Sequence, residues 1–191
     1  MFLESGPAFV IEHLKRLTAA GIQPHFMLGD LNQYETVERL IRAGHYNGPL
    51  VLNYVAIGGG AAGTHPADLI EFARRVPDGA VLTIESIMRN VIPFSTIAIA
   101  LGLHVRVGIE DNIWRRKGEK MTSVQQVEQM VRIARELDRD IANGLDAKAI
   151  YQIGTWYQST DETLRKLGLT PNRSAEPFGC RYSPCSLAKI P

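Results

Sequence analysis

The sequence predicts an α/β fold in which helices alternate with parallel strands. Four short apolar segments of strand length are each followed by a segment with helical spacing of apolar residues, and the units recur every ~25–35 residues. The strand segments are apolar at nearly every position, which is typical of strands covered on both faces. Two architectures fit this pattern, a doubly wound sheet and a (β/α) barrel, and both place functional sites at the carboxyl ends of the strands.

The first two helices flank the first strand. Apolar residues recur at helical spacing over 7–20, and the segment IQPHFML (22–28) has the length and composition of a strand. Asn32 followed three residues later by Glu35 is typical of a capping box. We therefore expect the second helix to begin at Asn32.

The central part of the chain repeats the strand–helix pattern. PLVLNYV (49–55) is rich in strand-forming residues and predicts the second strand. Thr64 and Pro66 are typical of a helix start and predict a helix over 64–75. AVLTI (80–84) predicts the third strand.

A fourth helix over about 93–101 and a fourth strand, HVRV (104–107), complete the alternation. Ser123 and Gln126 predict the cap of a long amphipathic helix. Its predicted apolar face consists of Val124, Val127, Met130, Val131, Ala134 and Leu137.

Composition restricts the class of protein. The chain has 191 residues, 45% of them hydrophobic and 21% charged, with a net charge of +1, which favours one soluble globular domain over 1–170. No basic patch for nucleic acid or a membrane surface is evident, and no apolar run approaches the ~20 residues of a membrane span.

The two cysteines, Cys180 and Cys185, do not support a disulfide framework, so a cytoplasmic protein is expected. Residues 171–191 are rich in Pro, Ser and Gly and predict an extended tail.

Polar residues follow the predicted strands where each of them ends. The glycine run that includes Gly58, Gly59 and Gly60 follows the second strand, and Glu85 follows the third. Such a run allows the backbone to approach a phosphate, a thioester or a carboxylate, and a plain tight turn is the alternative. Because parallel strands deliver their carboxyl ends to the same rim, these residues predict a site there.

The segment HVRVGIEDN (104–112) contains the strongest candidates for catalytic and metal-binding residues. Arg106 lies inside a predicted strand, where an unpaired guanidinium would be costly, so it should meet a carboxylate or an anionic ligand. Glu110 and Asp111 are adjacent and point in different directions, so one can bind a metal while the other acts on a substrate. The alternative is a structural ion pair between Arg106 and one of these acids, with Asn112 turning the chain.

These segments resemble the β-keto acid cleavage enzymes. The resemblance rests on HVRVGIEDN with the downstream SVQQVEQMVRIARELDRDIA, and it continues through IRAGHYNGPLVLNYVAIGGGAAGTHP, MRNVIPFSTIAIALG and GIQPHFMLGDLNQYE. It extends over about residues 7–173. The strand followed by Glu-Asp-Asn is its most specific part.

The resemblance implies a zinc-dependent (β/α)₈ barrel that exchanges an acyl group between a β-keto acid and acetyl-CoA, giving acetoacetate and a new CoA thioester. It implies that Glu110 binds zinc, which polarises the keto oxygen. Arg106 and Asp111 then act together in catalysis: Asp111 moves a proton and Arg106 orients that acid. The expected partners are these small molecules and further copies in a homo-oligomer, without nucleic acid or membrane.

The chain departs from the family pattern at several positions. Met27 stands where members carry a glutamate, and residues 85–88 replace a segment of small residues. The family's zinc-binding His-x-His pair is absent, and a full barrel needs about 250 residues. We therefore expect the chain to cover roughly the second half of the barrel, as a truncated gene product or an expressed fragment, with the remaining zinc ligands in the other half.

Two other functions remain open at this point. One is a different metal-dependent barrel lyase, such as an aldolase acting on another keto acid, which the changes at Met27 and Glu85 favour. The other is a non-catalytic remnant, or a subunit that requires a partner half, which the missing His-x-His pair favours.

Overall fold

A computed structural model of the protein describes residues 6–56, 65–87, 91–116 and 118–173. Helices and strands alternate along most of this range. In chain order the elements are α1 (Pro7–Ala19), β1 (Phe26–Leu28), α2 (Leu31–Arg42), β2 (Val51–Ala56), α3 (Pro66–Arg75), β3 (Val81–Ser86), α4 (Val91–Ala100), β4 (His104–Arg106), β5 (Trp114–Arg116), β6 (Glu119–Lys120), α5 (Ser123–Glu136), α6 (Gly144–Ile150) and α7 (Thr160–Lys166).

The first four strands form one parallel sheet in the order β1-β2-β3-β4. This confirms the predicted alternation and the parallel pairing. Within the described part of the chain the sheet is open, since β1 and β4 each pair on one side only. Strands β5 and β6 form a separate antiparallel pair that the sequence analysis did not predict.

Alternate residues of the two central strands face the main core. Leu52, Tyr54 and Ala56 of β2 and Leu82 and Ile84 of β3 are buried there. Their sequence neighbours point to the opposite face of the sheet. Most of these are buried too, which confirms that β2 and β3 are covered on both sides.

The opposite face carries the polar side chains of Asn53, Thr83 and Glu85 between valines, and we refer to it as the polar face. Tyr151, the C-terminal cap of α6, covers part of it. Its hydroxyl lies 3.5 Å from Thr83 Oγ1, and its ring lies 5.3 Å from the His25 ring and 5.9 Å from the His104 ring. Burial lowers the pKa of both histidines. His25 precedes β1 and His104 begins β4, so the two histidines lie at opposite edges of the sheet. Both contact the Tyr151 ring, which indicates that the sheet curves towards this face.

Two predicted helix caps are wrong by one or two residues. Asp30, not Asn32, caps α2, and its carboxylate accepts from the amides of residues 32 and 33 at 2.7 and 3.1 Å. Thr122, not Ser123, caps α5 and forms a capping box with Gln125. Both regions contain overlapping pairs of the capping type, and the extended backbone of the true cap residue decides between them.

Helix α3 is capped by His65. Its Nδ1 accepts from the Ala67 amide at 3.1 Å, and Pro66 occupies the first helical position. The proposed earlier start, Thr64, lies outside the described residues.

The predicted apolar face of α5 is only partly buried. Met130 and Ala134 pack against Ile99 of α4 in a small second cluster. Val124 and Val127, from the same predicted face, remain 66% and 49% exposed. The N-terminal half of α5 therefore presents apolar surface that the described residues do not cover.

Helix α7 was not predicted, although it belongs to the main core. Leu164 and Leu167 are buried there beside α2. A Cβ on Gly79 would lie 2.0 Å from the Lys166 carbonyl oxygen, so this turn can pack against α7 only without a side chain. Ser159, which caps α7 through the Glu162 amide, was the sequence signal for this helix.

No helix among the described residues is both long enough and apolar enough to cross a membrane. Of the predicted tail over 171–191, only residues 171–173 are described, and the Asn172 side chain donates to the Arg42 carbonyl oxygen at 2.8 Å.

The burial of α7 gives a stability prediction. Leu164→Ala removes a fully buried side chain from the main core and should lower the free energy of unfolding by ~2–5 kcal/mol. Leu145→Ala is the matched control, because Leu145 is 80% exposed, and it should change stability by less than ~0.5 kcal/mol. Urea denaturation measures both variants. Equal effects would show that α7 does not pack in the core.

Candidate active site

Arg106 sits at the end of β4, where its strand partner is Glu85 of β3. Its Nη1 donates to Glu85 Oε2 at 2.7 Å, and its Nη2 donates to Glu110. The expectation that this guanidinium meets a carboxylate is confirmed. Both carboxylates hold Arg106 on the polar face of the sheet.

A tight turn follows β4 and separates the two adjacent acids. The amides of Asp111 and Asn112 both donate to the Gly108 carbonyl oxygen at 3.2 Å. Asp111 is only 6% exposed, whereas the Glu110 side chain is 79% exposed. The two acids therefore point in different directions, as predicted.

Helix α5 anchors this turn from its N-terminal end. Ser123 Oγ accepts from the Ile109 amide at 3.2 Å, and Gln126 Nε2 donates to the Asn112 carbonyl oxygen at 2.5 Å. The Asn112 side chain bonds in turn to the backbone of Trp114 through both of its polar atoms. Gln126, expected to complete a helix cap, is instead buried and positions the turn.

Glu85 is a residue that the sequence analysis placed at the rim of the site without assigning it a role. It is 3% exposed and lies within hydrogen-bonding reach of the Asp111 carboxyl. Burial and the neighbouring Asp111 carboxyl raise the pKa of Glu85 to about 7, although Arg106 opposes that shift. Its place beside Arg106 comes from the register of β3 and β4, which makes these two residues partners on the same face of neighbouring strands.

The buried Asp111 Oδ2 atom has no hydrogen-bond partner in the described part of the protein. Two ionised carboxylates can only accept hydrogen bonds, so a proton on one acid is needed to join Asp111 to Glu85. No ion pair links Arg106 with Asp111 among the described residues. Among the described residues, Arg106 therefore pairs with Glu85 and Glu110, and Glu85 in turn interacts with Asp111. The joint role of Arg106 and Asp111 that the resemblance implies stays a prediction.

The structural alternative for this segment is also compatible with these contacts. Arg106 forms an ion pair with Glu110, and Asn112 turns the chain. The geometry adds a buried pair of acids, Glu85 and Asp111, which that alternative does not require.

A groove of about 700 Å³ runs along this part of the sheet. Asn53, Thr83 and Arg106 line it from the polar face, and Met130 lines it from α5. Arg106 thus borders a space large enough for a small-molecule ligand.

The described residues do not form a metal site by themselves. No group of three or more His, Cys, Asp or Glu side chains among them is placed to hold a metal ion. Glu110 offers one carboxylate, whereas catalytic zinc takes three protein ligands. The candidates Gly58, Gly59 and Gly60, and the thiols of Cys180 and Cys185, lie outside the described residues.

The sequence is similar to a family of known enzymes. A model of the beta-keto acid cleavage enzyme family matches residues 1–153. The 3-keto-5-aminohexanoate cleavage enzyme of Acetoanaerobium sticklandii is 33% identical over 146 residues, which cover 75% of this chain and 53% of that protein. The enzyme of the same name from Fusobacterium nucleatum is 30% identical over 140 residues, covering 73% of this chain and 51% of its own.

A third relative is the 3-dehydrocarnitine:acetyl-CoA trimethylamine transferase of Rhizobium meliloti. It is 29% identical over 168 residues, which cover 86% of this chain and 49% of that protein. The chain thus spans about half the length of the curated relatives that it matches.

The raised pKa of Glu85 predicts a specific dependence of stability on pH. Between about pH 4.5 and pH 7 the folded protein holds a proton on Glu85 that the unfolded chain releases, so this acid's contribution to stability declines as the pH rises through that window. Glu85→Gln has no proton to lose. Its stability relative to the unsubstituted protein should therefore improve as the pH is raised from about 4.5 to about 7.5.

Urea denaturation at several pH values tests this expectation. Glu136→Gln, at an exposed position of α5, is the matched control and should follow the unsubstituted protein at every pH. Parallel stability curves for Glu85→Gln and the unsubstituted protein would contradict the assigned pKa.

Proposed function

This chain belongs to the β-keto acid cleavage enzyme family, and on that premise we propose that it supplies catalytic residues for acyl exchange between a β-keto acid and acetyl-CoA. The observation that carries the proposal is the buried Asp111 beside Glu85 and Arg106 at the carboxyl end of β4. The acetyl-CoA in the name of the Rhizobium meliloti relative supports the choice of co-substrate.

The proposed exchange balances without any further reactant. A base removes a proton from the carbon between the keto and carboxylate groups, and that carbon attacks the acetyl carbonyl. The CoA thiolate that leaves then attacks the original keto carbonyl. Cleavage of the old carbon–carbon bond releases a new CoA thioester, and the proton returns to give acetoacetate.

Asp111 is the proposed base. Its Oδ2 has no hydrogen-bond partner among the described groups, and Asp111 does not line the groove, so this buried oxygen must become accessible to the substrate in the active assembly before it can take up a proton. Arg106 is the proposed anion-holding group, since its side chain is 34% exposed and borders the groove. A guanidinium at this position would stabilise the substrate carboxylate and the negative charge that develops on the keto oxygen.

The resemblance implies that the enzyme requires zinc. Of the zinc ligands, we propose only Glu110 from this chain. This carboxylate is exposed and held by Arg106, so it can turn towards a metal, but it is one ligand. The described residues do not fit a complete zinc site, and we derive no catalytic step through the metal. The glycines Gly58, Gly59 and Gly60 remain candidates for contacting acetyl-CoA.

Assembly is proposed from the open edge of the sheet. Among the described residues one side of β4 has no neighbouring strand, and α5 exposes apolar residues; both are surfaces that associate readily. We propose that the chain acts as a homo-oligomer or together with the other half of a barrel, in the cytoplasm. A monodisperse monomer with full activity would argue against this.

A metal-dependent lyase of another kind is the second candidate. The buried Glu85, at a place where the family pattern has small residues, favours it. An aldolase-type lyase would cleave its keto acid without acetyl-CoA, so omission of acetyl-CoA from the assay separates the two functions.

Asp111→Asn should lower turnover by ~10²–10⁴-fold, because the amide cannot accept the substrate proton. The assay is acetyl-CoA-dependent formation of acetoacetate by the active assembly. Asp161→Asn, at an exposed position of α7, is the control and should retain turnover. Retained turnover in Asp111→Asn would remove Asp111 from the mechanism.

The isolated 191-residue chain should bind zinc weakly, because a single carboxylate cannot hold the ion with useful affinity. Calorimetric titration with zinc measures the affinity and stoichiometry. Tight uptake of one ion per chain would contradict this prediction, and loss of that uptake in Cys180→Ser, Cys185→Ser or His25→Gln would identify the ligands.

A further inference from the structure

Glu85 lies on β3 opposite Arg106 of β4 and accepts a hydrogen bond from its guanidinium. The two residues are partners across the parallel pairing of β3 and β4, so the backbone hydrogen bonds of the sheet fix their separation. The bond from Arg106 Nη1 to Glu85 Oε2 is 2.7 Å long. On its other side β3 pairs with β2, which holds this position from both directions.

The two carboxylates that bind Arg106 differ in their exposure to solvent. The Glu85 side chain is 4% exposed and the Glu110 side chain is 79% exposed. Solvent screens the pair with Glu110, and that pair costs side-chain entropy, whereas the buried pair with Glu85 is screened much less. The contact that fixes the guanidinium is therefore the one with Glu85.

Glu85 also contacts the second proposed catalytic residue. The Asp111 carboxyl lies within its hydrogen-bonding reach, and no ion pair joins Asp111 to Arg106 in the described part of the chain. Glu85 thus interacts with both residues, while Ser123 and Gln126 of α5 also hold the turn that carries Asp111.

We propose that Glu85 is a positioning residue that holds Arg106 and Asp111 in one arrangement, while the exposed Glu110 can leave Arg106 for another ligand. The proposal rests on the proposed function only in its claim that this arrangement serves catalysis. Its structural content, which concerns the residue that immobilises Arg106, can be tested separately.

The rate at which the Arg106 guanidinium rotates is a direct measure of this role. NMR resolves the Nη protons of an arginine when ion pairs slow that rotation, and Arg106→Lys assigns the signals. The measurement is made above about pH 7, where Glu85 is ionised. In Glu85→Gln we expect the rotation of Arg106 to become faster by about tenfold or more, because the charged acceptor is gone. In Glu110→Gln, the matched control, the rate should change by less than about threefold, because that pair is exposed.

Either of two results would overturn the proposal: unchanged slow rotation in Glu85→Gln, or fast rotation in Glu110→Gln with slow rotation retained in Glu85→Gln. The backbone amide spectrum reports whether each variant is folded. If Glu85→Gln does not fold, Glu85→Asp makes the same test, since it retracts the charge by one methylene group. Rotation no faster than in the unsubstituted protein would then also overturn the proposal.

The catalytic part is tested in the acetyl-CoA assay with the active assembly. Glu85→Gln should lower the kcat of the folded enzyme by about tenfold or more, and Glu85→Asp should restore part of that loss. Unchanged kcat in Glu85→Gln, with fast Arg106 rotation, would overturn the catalytic role and leave the positioning role standing. If the unsubstituted assembly makes no acetoacetate, the proposed function fails, and the rotation measurement still decides the role of Glu85.

Discussion

The ion pair between Arg106 and Glu85 is the interaction on which the arrangement of the site depends. A carboxylate as buried as Glu85 requires a partner, and the partner that the sheet provides is the guanidinium on the next strand. Pairing of these two side chains favours the observed register of β4 on β3, because a slip by one residue would move Arg106 to the other face. The register then determines where the strand ends and where the turn over 108–112 begins.

That turn connects the sheet to α5, and the connection is made by polar contacts. Ser123 and Gln126 bond to the backbone on either side of the two acids. The amphipathic face of α5 contributes less than its sequence indicates, since only part of it meets α4. The positions of Glu110 and Asp111 thus depend on hydrogen bonds from the helix start more than on apolar packing.

The sequence predicted the alternation of strands and helices because apolar spacing records burial locally. It also located Arg106, Glu110 and Asp111 at a strand end, since strand composition and chain order are enough for that. It could not show Glu85 as their partner, because cross-strand register is a property of the assembled sheet. For the same reason it could not show that Arg106 forms its buried ion pair with Glu85.

The helix caps and α7 show a second limit. Overlapping capping patterns near Asp30 and Thr122 differ by a residue or two, and backbone conformation decides which one is used. Helix α7 is short and has few apolar residues, so their spacing is too weak a signal to predict a helix. The helix is stabilised by packing against α2, which the sequence alone does not show.

The packing of α7 against the turn at Gly79 determines where this protein can be divided. The match to the family model ends at residue 153, yet the chain beyond that point contributes Leu164 and Leu167 to the main core beside α2. A domain boundary drawn at the end of the sequence similarity would therefore cut through the hydrophobic interior. Gly79 makes the two parts interdependent, because any larger residue there would separate the backbone of the turn from the last residues of α7.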